Sequence, residues 1–229
     1  RRVLFRSLCY FFIDKTIVVN KPIANFYKKK YNINPIVIHN CPQYVNPPPS
    51  KYLREKFNIG SDFKIFLYIG MLSKNRGLEE YLEYFKKTEL KIAVIFLGDG
   101  DLKNLIAKYA LSSKNIFLHP FVNPNEVVAT AKSADYAISV LKTGETALSY
   151  EYMMPNKLFE SMMSETPIIS GGFSFETNFI EKNKIGQRMI FDSGLPLIEQ
   201  SIKKILEKNY DEMQNNCRKM SKIYNWENE

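Results

Sequence analysis

The sequence predicts an α/β protein built on a doubly wound parallel sheet, and three observations carry that prediction. Short apolar runs rich in β-branched residues alternate with helix-period segments from about residue 64 onward. Some of these runs, Ile92-Ala93-Val94-Ile95-Phe96-Leu97 above all, are apolar throughout instead of alternating, as strands covered on both faces must be. Glycine-bearing turns follow the first two runs, at Gly70 and at Gly98-Asp99-Gly100, where the chain has to leave a strand and enter a helix.

Taken in order, residues 1–7 begin Arg1-Arg2-Val3-Leu4-Phe5-Arg6-Ser7 without a Met. They are expected to be a non-native leader, because 2–7 match a sequencing adapter translated in one frame. An apolar segment at 8–13 leads through Asp14-Lys15 to the β-branched strand Thr16-Ile17-Val18-Val19. A helix over 22–31 and a strand Ile36-Val37-Ile38 complete a β-α-β piece, which by itself cannot cover both faces of a sheet. Residues 8–40 are therefore expected to be the remnant of a preceding domain. Residues 41–50 hold Pro42, Pro47, Pro48 and Pro49, a stiff stretch unsuited to helix or central strand, and are expected to link two domains.

The second unit, 51–229, opens with a short helix at 51–57. Strands are expected at 64–68, 92–97, 115–118, 135–140, 167–169 and 188–191. Helices are expected at 78–85, 102–110, 124–133, 155–164, 176–182, 197–208 and 211–223. In such a sheet, ligands bind beyond the carboxyl ends of the strands.

Composition narrows the function classes. With 229 residues and 45% hydrophobic content the chain fills a real core. The net charge of +8 suits a phosphate-bearing substrate or an anionic membrane surface. Nucleic acid is not expected as a partner, since the lysines are scattered and form no concentrated basic arm. Cys9, Cys41 and Cys217 are far apart, without metal-ligand spacing, which fits a reducing cytoplasm. His39 and His119 are the only histidines, and neither a zinc site nor a serine triad can be built from them. No metal and no cofactor is expected, and the longest apolar stretch, 8–13, is too short to span a bilayer.

The most informative stretch runs from Tyr150 to Gly172 and reads as loop, helix and buried strand. The helix begins after Pro155, so unpaired backbone N–H groups and the positive end of its dipole lie near Asn156, Lys157 and Leu158. Lys157 adds a full charge there, which suits a diphosphate. One turn on, Glu160 offers a carboxylate for a pair of sugar hydroxyls. The same two residues also read as an exposed i, i+3 ion pair of small energetic consequence. A second basic segment, Gly70-Met71-Leu72-Ser73-Lys74-Asn75-Arg76-Gly77, follows the first strand of the sheet. There Gly70 admits a close backbone approach, and Lys74 and Arg76 either face a phosphate or belong to an ordinary surface loop.

The run Pro155-Asn156-Lys157-Leu158-Phe159-Glu160, continued by Ser161-Met162-Met163-Ser164-Glu165-Thr166-Pro167-Ile168-Ile169, resembles the donor-binding segment of family 4 glycosyltransferases. The resemblance implies the GT-B fold, made of two Rossmann-like domains, and retaining, metal-independent transfer of a sugar from a UDP- or GDP-linked donor. The implied acceptor is a saccharide or a lipid-linked molecule, in cell-surface polysaccharide or glycan synthesis. Two Glu eight apart mark that family, and the second falls on Glu160, which it assigns to the ribose. The first falls on Tyr152, so its contact with the sugar does not carry over, and Glu151 is left as the candidate. After the first strand the family has an Arg and a Lys on the diphosphate. Here Met71 stands in place of the Arg, and Arg76 stands where the Lys does.

Gly98-Asp99-Gly100 matches a family turn expected to serve the fold more than any contact. His119 and Phe121 fall where the family lays backbone groups against the base, although Phe121 also reads as a core aromatic. The family's closing helix, which crosses back onto the first domain, is not found after Tyr224-Asn225-Trp226-Glu227, and a piece of this kind is expected to bind a nucleotide weakly and to transfer nothing. The expected location is the cytoplasm, on or near the inner membrane face. Alternatives kept open are a non-catalytic binding module of the same fold and a nucleotide-sugar epimerase.

Overall fold

In the computed structural model, which describes residues 13–74, 76–139, 152–171, 174–192 and 195–229, a small parallel pair comes first. Strands β1 (Ile17–Val18) and β2 (Ile36–Val37) lie side by side, joined by helix α1 (Lys21–Tyr31). Asn20 starts that helix, its side-chain oxygen accepting from the Ile23 N–H at 3.0 Å, and Pro22 fits the first turn. Asn32 ends it in the left-handed conformation.

The main sheet holds six parallel strands: β3 (Lys64–Ile69), β4 (Ile92–Leu97), β5 (Ile116–His119), β6 (Tyr136–Ser139), β7 (Ile168–Ser170) and β8 (Gly186–Arg188). Their order is β5-β4-β3-β6-β7-β8. The chain winds outward from β3 to β5 and then returns to the other side of β3. The crevice at the carboxyl ends of β3 and β6 is therefore the switch point of a doubly wound, Rossmann-like sheet.

Alternate side chains of the central strands feed two cores. Phe66, Tyr68, Val94 and Phe96 pack with α3 (Leu78–Lys87), α4 (Lys103–Ser112) and α8 (Ile198–Leu206) through Leu82, Ile106 and Ile202. Ile65, Leu67, Ala93 and Ile95 face the other side, against Leu53 of α2 (Tyr52–Lys56) and Ala131 of α5 (Val127–Ala131). A third cluster joins α6 (Asn156–Met163), α7 (Ser174–Lys182) and α9 (Tyr210–Ser221) through Phe159, Ile180 and Cys217. Burial on both faces is why these strands are apolar at every position.

Two expectations are corrected in detail. The segment 124–133 is a 3-10 turn, Pro124–Glu126, followed by the short α5, because Asn123 and Glu126 close a capping box that tightens the first turn. The strand expected at 188–191 is β8, with a separate antiparallel pair beyond it, β9 (Phe191–Asp192) and β10 (Leu195–Pro196). Gly186 sets where β8 begins: a Cβ there would lie 1.9 Å from the Ile168 carbonyl oxygen.

The last residues fold back onto 39–44. The Glu229 carboxylate accepts from the His39 backbone N–H at 2.8 Å and meets the His39 ring at 2.7 Å. The Trp226 N–H donates to the Pro42 carbonyl at 3.0 Å, and Glu227 accepts from the Tyr44 N–H at 2.8 Å. Among the described residues, no helix is long and apolar enough to cross a membrane.

Candidate functional site at the sheet switch point

Beyond the carboxyl end of β3 the chain turns at Gly70, whose φ of +137° is open to glycine and costly for other residues. Gly70 leaves room for Lys157 of α6: a Cβ would lie 2.9 Å from Lys157 Cε and 3.2 Å from Nζ. The Lys157 ammonium rests 3.7 Å from the centre of the Tyr68 ring, a cation–π contact that fixes the side chain over the sheet's end. The Tyr68 hydroxyl in turn donates to the Met71 carbonyl at 2.9 Å. Gly98 and Gly100 let the second βα turn press on this loop, since a Cβ on either would meet the Gly70 or Leu72 carbonyl oxygen at 1.9 or 2.4 Å. Their role is therefore packing.

The electrostatics follow from burial. Loss of water pushes the Lys157 pKa down to about 7, nearby Arg76 pushes the same way, and Glu176 and Glu160 pull it back up. Burial raises the Glu160 carboxyl, and Lys157 opposes that shift. Arg76 and Lys157 thus form a pair of cations at the switch point, with a carboxylate one helical turn away. Asn156 Oδ1 accepts from Asn40 Nδ2 at 2.8 Å, tying the start of α6 to the linker. Asn156 and Glu160 line a cleft of about 450 Å³ together with Asn40, Cys41, Pro42 and Gln43. A larger groove of about 780 Å³ runs between α3 and α8 past Glu79, Glu83 and Glu199. Its acidic lining repels a diphosphate, and the smaller cleft, which neither Lys157 nor Arg76 lines, reaches the start of α6 at Asn156 and Glu160. Among the described residues, no group of three or more His, Cys, Asp or Glu is arranged to hold a metal ion.

The sequence-predicted residues divide into those the fold gathers and those it does not. Gly70, Arg76, Asn156, Lys157 and Glu160 come together around the crevice. Lys157 and Glu160 are not the exposed ion pair that was the alternative reading, since the ammonium is turned onto Tyr68. Lys74 stays exposed beside the loop. Leu158 is a correction: its side chain is buried in the third cluster and its N–H donates to the Pro155 carbonyl at 2.9 Å, so it has nothing left for a ligand.

The ring of His119 is spent on the fold. It contacts the Tyr52 hydroxyl at 2.9 Å and the Pro120 carbonyl at 2.6 Å, and it is 2% exposed. A base can be reached only by backbone groups there. Phe121 is not a core aromatic but lies 66% exposed at the rim. Met71 is 63% exposed where the resembling family has its Arg. Tyr152 turns toward α1, its ring 6.4 Å from that of Phe26 and its carbonyl accepting from Asn20 Nδ2. Glu151 and Asn75 lie outside the described residues, as do 8–12 of the apolar segment at 8–13.

Glu176, in the first turn of α7, was missed. It is 0% exposed, and neither carboxylate oxygen has a hydrogen-bond partner among the described residues. A signal existed: Glu176 stands four residues before buried Ile180, on the helix face that packs inward.

A doubly wound parallel sheet of this order, with a crevice at its switch point, defines a Rossmann-like α/β domain. The sequence profile of the family described as Glycosyl transferases group 1 matches residues 50–223, and the chain belongs to that family. Among solved structures it is similar to WaaG, a glycosyltransferase involved in lipopolysaccharide biosynthesis, at 17% identity and a TM-score of 0.64, over 92% of this chain and 59% of that one. A TarM mutant from S. aureus, in complex with fondaparinux, alpha-GlcNAc-glycerol and UDP, is 18% identical with a TM-score of 0.67, over 94% and 42% of the two chains. HepE from Anabaena, in complex with UDP, is 12% identical with a TM-score of 0.70, over 93% and 60%. The chain thus spans between 42% and 60% of the length of these three structures. No curated protein sequence matches it.

Proposed function

We propose that this chain is the donor-binding domain, with residues 8–40 as the end of the preceding domain and 41–50 as the linker, of a family 4-like retaining glycosyltransferase. The observation that carries the reading is the convergence of Arg76, Lys157 and the first turn of α6 on the glycine turn at Gly70, with Glu160 one turn away. Two cations and a helix N-terminus neutralise a diphosphate, and they do so without a divalent ion. Glu160 accepts hydrogen bonds from the ribose hydroxyls in the cleft beside Asn156. Backbone groups of 119–121 meet the base, with the exposed ring of Phe121 free to stack on it.

In the transfer, the bond between the sugar's anomeric carbon and the diphosphate breaks, an acceptor hydroxyl oxygen takes the diphosphate's place, and the hydroxyl's proton passes to the departing diphosphate. Fixed cations stabilise the charge that develops on the leaving diphosphate. Acceptor contacts belong to the preceding domain, and the acceptor is a saccharide or a lipid-linked molecule. The UDP in the TarM and HepE structures supports a uridine diphosphate donor here. The charge of +8 supports work on the cytoplasmic face of an anionic membrane, in glycan or polysaccharide synthesis.

A second reading, a non-catalytic nucleotide-binding module, is favoured by two observations: Met71 at the family's Arg position, and Tyr152 turned into α1. Glu160→Ala in the full-length protein separates the two. Loss of sugar transfer supports the enzyme, and an absence of transfer in the wild-type protein with UDP still bound supports the module.

A further inference from the structure

Asn20 is used twice, and only one of the two uses belongs to the helix it begins. Its side-chain oxygen caps α1 by accepting from the Ile23 N–H at 3.0 Å, while Nδ2 donates to the Tyr152 carbonyl at 2.5 Å, 132 residues on. The residue is 0% exposed, so both ends of the carboxamide are spent inside the protein. Capping alone does not call for this residue type, since Ser, Thr and Asp also accept from a helix start. Among these four, Asn is the one that carries an acceptor oxygen and a separate amide donor. The donor serves Tyr152.

Tyr152 stands three residues before Pro155, the N-cap of α6. The approach to the helix is held at alternate positions. Tyr152 is fixed by Asn20 and by its ring, 6.4 Å from that of Phe26 on α1. Met154 is buried in the third core cluster, and Asn156 accepts from Asn40 at 2.8 Å.

We propose that Asn20 is a positioning residue for the donor site: by holding the Tyr152 carbonyl it fixes the chain that enters α6, and so presents the first-turn N–H groups and Lys157 to the diphosphate in one orientation. The proposal rests on the reading that α6 grips that diphosphate. A helix start left free has to be ordered when the ligand binds, and that ordering weakens the affinity.

Asn20→Asp separates the two uses, because Asp keeps the cap and lacks the amide donor. Asn20→Ser also keeps the cap, adds no charge and lacks the amide. In both variants UDP affinity, read by calorimetry, should fall about 3- to 10-fold, the usual consequence of losing one hydrogen bond. Backbone amide exchange should quicken over 156–160 and stay unchanged at 23 and 24, where a lost cap would show. UDP affinity equal to that of the wild-type protein overturns the proposal, and so does faster exchange confined to α1. Should neither variant fold, the wild-type protein carries a second measurement. The Asn20 Nδ2 protons should exchange with solvent far more slowly than those of exposed Asn25, and equally fast exchange overturns the proposal. UDP reports separately on the underlying reading: in the wild-type protein it should protect the backbone amides of 156 and 157, and failure to do so sinks the diphosphate assignment whatever Asn20 does.

Discussion

The ammonium of Lys157 sits 3.7 Å from the centre of the Tyr68 ring, held there by a helix start on one side and a glycine turn on the other. This places a cation at the one point where the winding of the sheet reverses.

The first prediction concerns the charge itself. Lys157→Met should weaken UDP binding by about 10- to 100-fold, the usual consequence of losing a hydrogen bond to a charged group. It should leave the affinity for uridine unchanged, which calorimetry with the two ligands can check.

The pH dependence follows from the same group. Lys157 has its pKa lowered to about 7, first by burial and then by Arg76, so its charge is present below that pH and disappears as pH rises through it. UDP affinity should fall as pH rises from 6 to 8, with proton uptake on binding. In Lys157→Met that fall should vanish, leaving only the ligand's own phosphate titration.

Much of this was legible in the sequence. The strands β3 and β4 declared themselves as uninterrupted apolar runs, and α6 and β7 followed from Pro155, the helix-tolerant segment after it and the apolar end at Ile168. The β9 and β10 pair was not legible, because a Pro at its end argues against a strand unless the pairing is antiparallel and at an edge. In the site, residue type gave Lys157 and Glu160, but the aim of Lys157 onto Tyr68 depends on a strand some ninety residues away in sequence. The hold on the His119 ring was not legible either, because its partner, Tyr52, comes from α2, a contact no local pattern encodes. Glu176 hid in an ordinary helix start.

The glycine turns should prove structural. Gly98→Ala puts a Cβ 1.9 Å from the Gly70 carbonyl oxygen at a φ of +152°. The expected cost is roughly 2–4 kcal/mol. Thermal unfolding should show it as a fall of about 5–10 °C in Tm, and an unchanged Tm would mean the two turns do not press together.

Acid stability should depend on Glu165. Its carboxylate accepts from Arg218 Nε at 2.6 Å and Nη2 at 2.8 Å, and from Lys132 Nζ at 2.6 Å, joining α9 and α5 to the end of α6. Arg218 first, and Lys132 with it, hold the pKa at about 2 against the opposing effect of burial. A depressed carboxylate stabilises the fold above its unfolded pKa and loses that contribution as pH falls toward the folded value. Glu165→Gln should therefore flatten the loss of stability between about pH 4.5 and 2 in denaturant titrations, removing roughly 2–3 kcal/mol of pH dependence.

The central claim, that α6 grips a nucleoside diphosphate by its phosphates at Lys157 and by its ribose at Glu160, is tested most directly by one calorimetric comparison. Glu160→Ala is titrated with UDP and with inorganic pyrophosphate. The account predicts a clear loss of UDP affinity with pyrophosphate binding retained or tightened, since a nearby negative charge has been removed. Equal affinity of the variant and the wild-type protein for UDP would contradict it.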